Sequence, residues 1–276
     1  MQKEKRRFLT IVYLCLLIAV AGIMIFPFLW MVLGALKTSS ELFAIPIKLL
    51  PKAFVWSNFS DVLTAVPFLK FYANTAKIAV LSTVGQVLTC ALSAYAFSKL
   101  QFKGRDTLFL FYLATLMIPG QVTMIPQFEL MNKLGLYDSH WSLILLRWFS
   151  PFGVFLLRQF FVSIPDSLVE AARIDGAREV RIFSGLILPL SKSAIATLVT
   201  LTFLNSWNEF MGPLIYLQTK SKFTLQIGIR YFQQEFGTNY TLIMAATTMS
   251  LIPIVLIYMF AQRYFIEGIA ASGVKG

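Results

Sequence analysis

"SLVEAARIDGAREVRIFSGLILPL", Ser167 to Leu190, lies between two long apolar segments. Glu170, Arg173, Asp175, Arg178, Glu179 and Arg181 crowd its first fifteen residues, a glycine stands at 176 and a proline at 189. The pattern predicts two short helices. Ser167 and Glu170 have the S-x-x-E spacing of a capping box, and Pro165 suits a first helical turn. Leu168, Ala171, Ala172 and Asp175 recur at i, i+3, i+4 and i+7, one face of a helix. That face is mostly small, so another surface can approach its backbone closely. Gly176 is a natural stop because it tolerates the left-handed conformation of a helix C-terminus. Two readings stand: a solvated amphipathic connection, or a docking element. The insert is long for a plain connection.

The surroundings set the solvent. Of 276 residues, 57% are hydrophobic and 13% charged, against about 25% charged in soluble domains. So much apolar surface points to a bilayer. Cys15 and Cys90 both sit in apolar runs and suggest neither a disulfide framework nor a metal site. His140, the only histidine, supports no metal cluster and no Ser/His/Asp triad. Phosphate-binding glycine loops are absent, so the chain reads as a non-enzyme without a cofactor of its own. The basic N-terminus followed by an apolar run starts like a signal peptide. Its apolar run exceeds the 7–15 residues of such a segment, which predicts a retained first span.

Six apolar stretches are long enough to cross about 30 Å of hydrocarbon: 8–36, 71–97, 107–130, 141–161, 193–217 and 241–262. Helices satisfy their own backbone in lipid, and the alternation of barrel strands is missing. The expected fold is all-α, a single polytopic membrane domain over 1–276 with the insert, 163–192, as a loop. The net charge of +11 reads as membrane topology rather than nucleic-acid binding. With both termini inside, the inner segments carry 14 Lys and Arg in 66 residues and the outer ones 8 in 67. Cations favour the cytoplasmic side, so both termini and the insert are expected there.

Glu170-Ala171-Ala172, then Gly176 after three intervening residues, then Leu186, Leu188 and Pro189 after nine more, resembles the cytoplasmic "EAA" loop of bacterial ABC importer permeases. Leu186 stands where isoleucine is usual. "PFLWMVLGALKTSSELF", "YANTAKIAVLSTVGQVLTCALSAYAFSKLQFKGRD", "MIPGQVTMIPQFELMNKLGLYDSHWSLIL", "NSWNEFMGPLIYL" and "EGIAASGVKG" extend the resemblance over nearly the whole chain. They are similar to the shorter, six-span subunit of maltose-type carbohydrate permeases. The resemblance implies a bacterial inner-membrane permease subunit of an ATP-driven sugar importer. It implies partners as well: a second homologous permease, two ATPase subunits that bind the ATP, and an extracellular solute-binding protein. By the same resemblance, Leu168, Glu170, Ala171, Ala172, Asp175 and Gly176 form the ATPase-coupling element, with Glu170 holding the helix start.

Inside the membrane, Asn205, Ser206, Trp207, Asn208 and Glu209 cluster. From a span starting near Ser193, Asn205 falls about 18 Å along the axis at ~1.5 Å per residue, near mid-depth. These residues, with Gln121 beside Pro119 and Gly120, are candidates for a sugar pathway. The alternative is that they join spans or subunits by hydrogen bonds. Pro119, Gly120 and Pro126 also allow a broken helix that lines a cavity. Arg147 is expected to snorkel outward. Two rival functions remain: a secondary carrier driven by an ion gradient, for which only Glu209 and Lys77 offer intramembrane charge, and an ABC permease for a substrate other than sugar.

Overall fold

The computed structural model of the chain describes residues 2–234 and 239–273, and all regular structure among them is helical. Four helical stretches are long and apolar enough to cross a bilayer: Arg6–Ala35, Phe68–Lys99, His140–Val162 and Tyr240–Tyr264. Two bent pairs bring the number up to six if each is one span: Arg105–Met117 with Gly120–Lys133, meeting at 101°, and Glu179–Leu190 with Lys192–Trp207, meeting at 80°. The expected all-helical, multi-span fold is therefore the observed one.

Two of the expected spans differ in detail. The third is not a straight rod. Its first half ends at Met117, Ile118 and Pro119 are extended, and a second helix restarts at Gly120. The proline does this locally, since the residue before it avoids the helical region. The fifth was expected over Ser193–Leu217, but the helix Lys192–Trp207 stops at Asn208, and Met211–Tyr216 is a separate short helix. Pro213 explains the interruption: its ring would meet the carbonyl four residues back if the helix ran on. Asn205 is accordingly in the last turn of a helix, not midway along one. Glu209 lies beyond the helix end.

Residue contacts divide the chain into two compact units, 1–68 with 228–252, and 69–227 with 253–276. In the first unit the helix Gln2–Ala35 is exposed along most of its apolar length, as a lipid-facing helix should be. Its far end is pinned. Asn58 Nδ2 donates to the carbonyls of Ala35 (2.8 Å) and Lys37 (2.9 Å). Lys37 itself is only 1% exposed. Its ammonium donates to the Lys48 carbonyl and lies 4.9 Å from the Trp30 ring centroid, which compensates the burial of the charge.

In the second unit, the helix Phe68–Lys99, the helices around Phe109 and Leu157, the insert and the helix Lys192–Trp207 share one core. Cys90, Ala94, Phe161, Val169, Ile182 and Leu198 are among its buried members. Small residues permit the close approach. A Cβ on Gly153 would stand 2.6 Å from Cys90 Sγ, and one on Gly85 would collide with the Trp148 indole. Membrane helices without a hydrophobic driving force between them pack through such positions.

Candidate functional site: a latched insert and a cavity at broken helices

The insert folds as two helices about Gly176. The first, Asp166–Ile174, ends in a Schellman motif: Ala177 N–H donates to Ala172 O (2.9 Å) and Gly176 N–H to Arg173 O (3.0 Å). Gly176 has φ +80°, and a Cβ there would meet nothing within 4 Å. Glycine is required by backbone conformation alone, not by crowding.

The start of that helix corrects the capping-box expectation. Pro165 is the N-cap, no side chain caps the helix, and Ser167 lies inside the first turn. Asp166 is the first helical residue because Lys99 holds it, with Nζ 2.6 Å from Asp166 Oδ1 and 2.6 Å from the Ile164 carbonyl. Glu170 does not hold the helix start; its side chain is exposed and makes no hydrogen bond among the described residues.

The exposed face is also rotated from the expected one. Val169 is buried and Ala172 is half-buried against the same core. Ser167, Glu170, Ala171 and Ile174 point away, flanked by Leu168 and Asp175. Ile174 is 87% exposed and Val180, on the following helix, 77%. Sequence reasoning missed both. The i, i+4, i+7 spacing of Ser167, Ala171 and Ile174 was legible, but nothing local distinguishes it from the neighbouring Leu168 stripe.

The two helices are locked together and to the second span. Arg173 Nε pairs with Glu179 Oε1 at 2.9 Å, and the Tyr95 hydroxyl donates to Glu179 Oε2. Hydrogen bonds from Arg173 first, and from Tyr95 second, hold the Glu179 carboxyl below its ordinary pKa. Tyr95 and Lys99 are one turn apart on Phe68–Lys99, so a single helix end grips the insert at both of its helices. Arg158 adds a nearby brace, donating to the Phe97 carbonyl (3.1 Å) while its guanidinium lies over the Phe109 ring.

A second knot sits at the other end of the same helix. Asp138, at φ 54°, accepts from Gln218 N (2.9 Å), Thr219 N (3.0 Å), Thr219 Oγ1 (2.6 Å) and Lys222 Nζ (2.9 Å). Burial would raise its carboxyl pKa, but the hydrogen bonds from Thr219, Lys222 and Gln218 outweigh it and hold the carboxyl well below the usual range. Asn74 Nδ2 donates to the carbonyls of Ser221 and Phe223, and Thr75 Oγ1 accepts from Leu225 N. Twenty residues separate Thr75 from Tyr95, about 30 Å of helix, the thickness of a hydrocarbon core. Segments assigned to one side by their cations, 98–106 with 158–192 and 131–140 with 218–223, are thus also the segments tied together.

Between the two knots the break in span three opens a cavity of about 220 Å³. Gln127, Arg147, Glu209 and Tyr216 supply its polar lining. Arg147 does not snorkel outward: its guanidinium pairs with Glu209, whose other oxygen accepts from Gly212 N at 3.0 Å. The Tyr216 hydroxyl is buried without a hydrogen-bond partner among the described residues. Of the pathway candidates, only Glu209 lines this cavity. Trp207 is 1% exposed, stacked on Phe203 and edge-on to Tyr72. Asn205 and Gln121 are exposed, and Asn208 bonds back to Leu204 O at 3.0 Å. Gln127 was expected as a polar group of the broken third span; Tyr216 was not singled out in sequence, because its approach to Gln127 depends on the bend at Pro119.

Comparison with known proteins follows the same geometry. Residues 5–270 match the family model described as binding-protein-dependent transport system inner membrane component. The chain is 37% identical over 260 residues to the arabinooligosaccharides transport system permease protein AraQ of Halalkalibacterium halodurans, covering 93% of each chain. It is 35% identical to the sn-glycerol-3-phosphate transport system permease protein UgpE of Yersinia pestis, covering 98% of this chain and 99% of that one. Among solved structures, a chain from a bacterial ABC transporter involved in import of the acidic polysaccharide alginate superposes with a TM-score of 0.83. That chain is 28% identical, and the match covers 94% of this chain and 97% of the other.

Proposed function

The chain belongs to the family of binding-protein-dependent transport system inner membrane components, and on that premise we propose that it is the permease subunit of an ATP-driven oligosaccharide importer. The observation that carries the proposal is the insert itself: Ala171 and Ile174 present apolar surface to solvent beside Ser167 and Glu170, while the opposite face is built into the core and latched to span two. A plain connecting loop has no use for a rigid, outward-presented apolar face. A docking element needs one.

In this reading both termini and the insert are cytoplasmic, and the insert docks on one of two ATPase subunits, which bind the ATP. A second homologous permease supplies the other half of the pathway, and a solute-binding protein delivers sugar from outside. ATP binding by the ATPases biases one of two permease conformations, because it binds them unequally. Tyr95 and Lys99 pass the insert's displacement to span two, whose other end carries the 218–225 loop through Asn74 and Thr75. The cavity would hold part of an oligosaccharide, since it is smaller than the roughly 300–1,000 Å³ of ligand sites. Gln127 and the unpartnered Tyr216 hydroxyl suit sugar hydroxyls.

The ion-driven carrier loses its main support in this geometry. Glu209, the carboxylate it would use, is already neutralised by Arg147. Affinity purification of the tagged chain from its own host tests the proposal. An ATPase should copurify, and reconstituted complex should hydrolyse ATP faster with sugar-loaded binding protein. A chain that purifies alone and takes up sugar on an ion gradient would sink it.

A further inference from the structure

The geometry points to a binding site for an anionic phospholipid between the helix Lys192–Trp207 and the later part of Tyr240–Gly273. A groove of about 450 Å³ runs between them, within the roughly 300–1,000 Å³ common for ligand sites. Ile195, Val199, Ile257 and Phe260 form its walls, and Lys192 and Arg263 stand in its lining. Among the described residues no carboxylate lines it.

The placement of the two cations decides the ligand. One helix begins at Lys192 and the other carries Arg263 late in its length. Each cation is therefore offset along its own helix from its apolar walls. Lys192 is seven residues from Val199 and Arg263 six from Ile257, about 9–11 Å at 1.5 Å per residue. Arg263 is braced at this end, its Nη2 2.9 Å from the Tyr264 hydroxyl and its guanidinium 4.8 Å from that ring's centroid. The N-terminus of the Lys192–Trp207 helix adds partial positive charge beside Lys192.

Charge at one end and a dry slot behind it describe an amphiphile: an anionic headgroup with an acyl chain. A sugar would find few partners, because the Thr200 hydroxyl in the wall is already spent on the Ala196 carbonyl at 2.8 Å. A partner helix could fill the slot, but among the described residues no carboxylate in its lining answers the two cations. Basic pockets between membrane helices bind anionic lipid headgroups for this reason.

Native mass spectrometry of the full chain, purified with its associated subunits and exposed to equal phosphatidylglycerol and phosphatidylcholine, tests the site. Phosphatidylglycerol should be retained preferentially, each cation contributing roughly fivefold in affinity. Lys192→Ala with Arg263→Ala should erase the preference, a loss on the order of 25-fold. Ala196→Trp, which fills the slot and keeps both cations, should reduce retention of the same lipid, and it decides the matter if the double variant fails to assemble. Equal retention of both lipids, or a preference that survives these changes, overturns the site. So does competition by glycerol phosphate at the same concentration, which would mark a free-phosphate site, or a photo-crosslinker at Val199 that captures protein rather than lipid, which would mark a subunit interface.

Discussion

The Tyr95 hydroxyl donates to the Glu179 carboxylate, which also accepts from Arg173. One hydrogen bond therefore ties the second span to both helices of the insert at once. Tyr95→Phe removes a hydrogen bond to a charged group, about 1.5 kcal/mol at the low end because Glu179 is half exposed. The exposed face is untouched, so the ATPase should remain bound through purification. The stimulation of hydrolysis by sugar-loaded binding protein should fall severalfold, and Glu179→Gln should act in the same direction. Full stimulation in Tyr95→Phe would show that force enters the spans elsewhere.

Ala171 and Ala172 are adjacent, yet they should fail differently. Ala171→Glu places a charge on the outward face, costing several kcal/mol where it is buried unpaired in a docked contact. The permease should insert and stay folded but lose its ATPase on purification. Ala172→Glu drives the charge toward Val169 and the core, so the permease's own thermal stability should drop. Equal behaviour of the two variants would mean the helix is not oriented as described.

Gly176 sits in open space with φ +80°. Substitution costs backbone energy only, on the order of 1–2 kcal/mol for a residue with a Cβ. Asn should be tolerated best, Ala less, and Val least. Retention of the ATPase across these three variants gives the order; a flat series would remove the Schellman stop from the docking argument.

Asp138 should make its knot with Gln218, Thr219 and Lys222 acid-sensitive only at low pH. Its folded pKa lies below the unfolded value of about 3.9, so its stabilisation is fully present above about pH 4 and is lost as pH falls from there through the folded value. Asp138→Asn should lower thermal stability at pH 7, and its gap from wild type should narrow below pH 4. A gap that is constant across pH would assign the effect to shape rather than charge.

Topology is open to direct labelling. Single cysteines at Ser57 and Ser184, both exposed, should react with an impermeant reagent from opposite faces, with Ser184 on the cytoplasmic one. Labelling of both from the same face would remove the docking reading.

Composition and the length of the apolar runs were enough for an all-helical membrane chain, because in lipid each helix closes its own hydrogen bonds regardless of its neighbours. The insert, its two helices and its stop at Gly176 were legible for a similar reason: a left-handed C-terminus is a local event written in adjacent residues. Counting cations along the chain gives an expected side for each connection, which the labelling above tests. Which face of the insert is free was not legible. Leu168, Ala171 and Ala172 form as good a stripe in sequence as Ser167, Ala171 and Ile174, and only the packing of Val169 and Ala172 against residues near Cys90 and Phe161 chooses between them. The same holds for Arg147. Alone it is a cation near a membrane edge; the break after Trp207 brings Glu209 to it and turns both inward, lining a cavity with Gln127 and Tyr216 that exists only because span three bends at Pro119. Local backbone preferences are encoded by neighbours in the chain, whereas partners 62 or 84 residues apart meet only when helices pack.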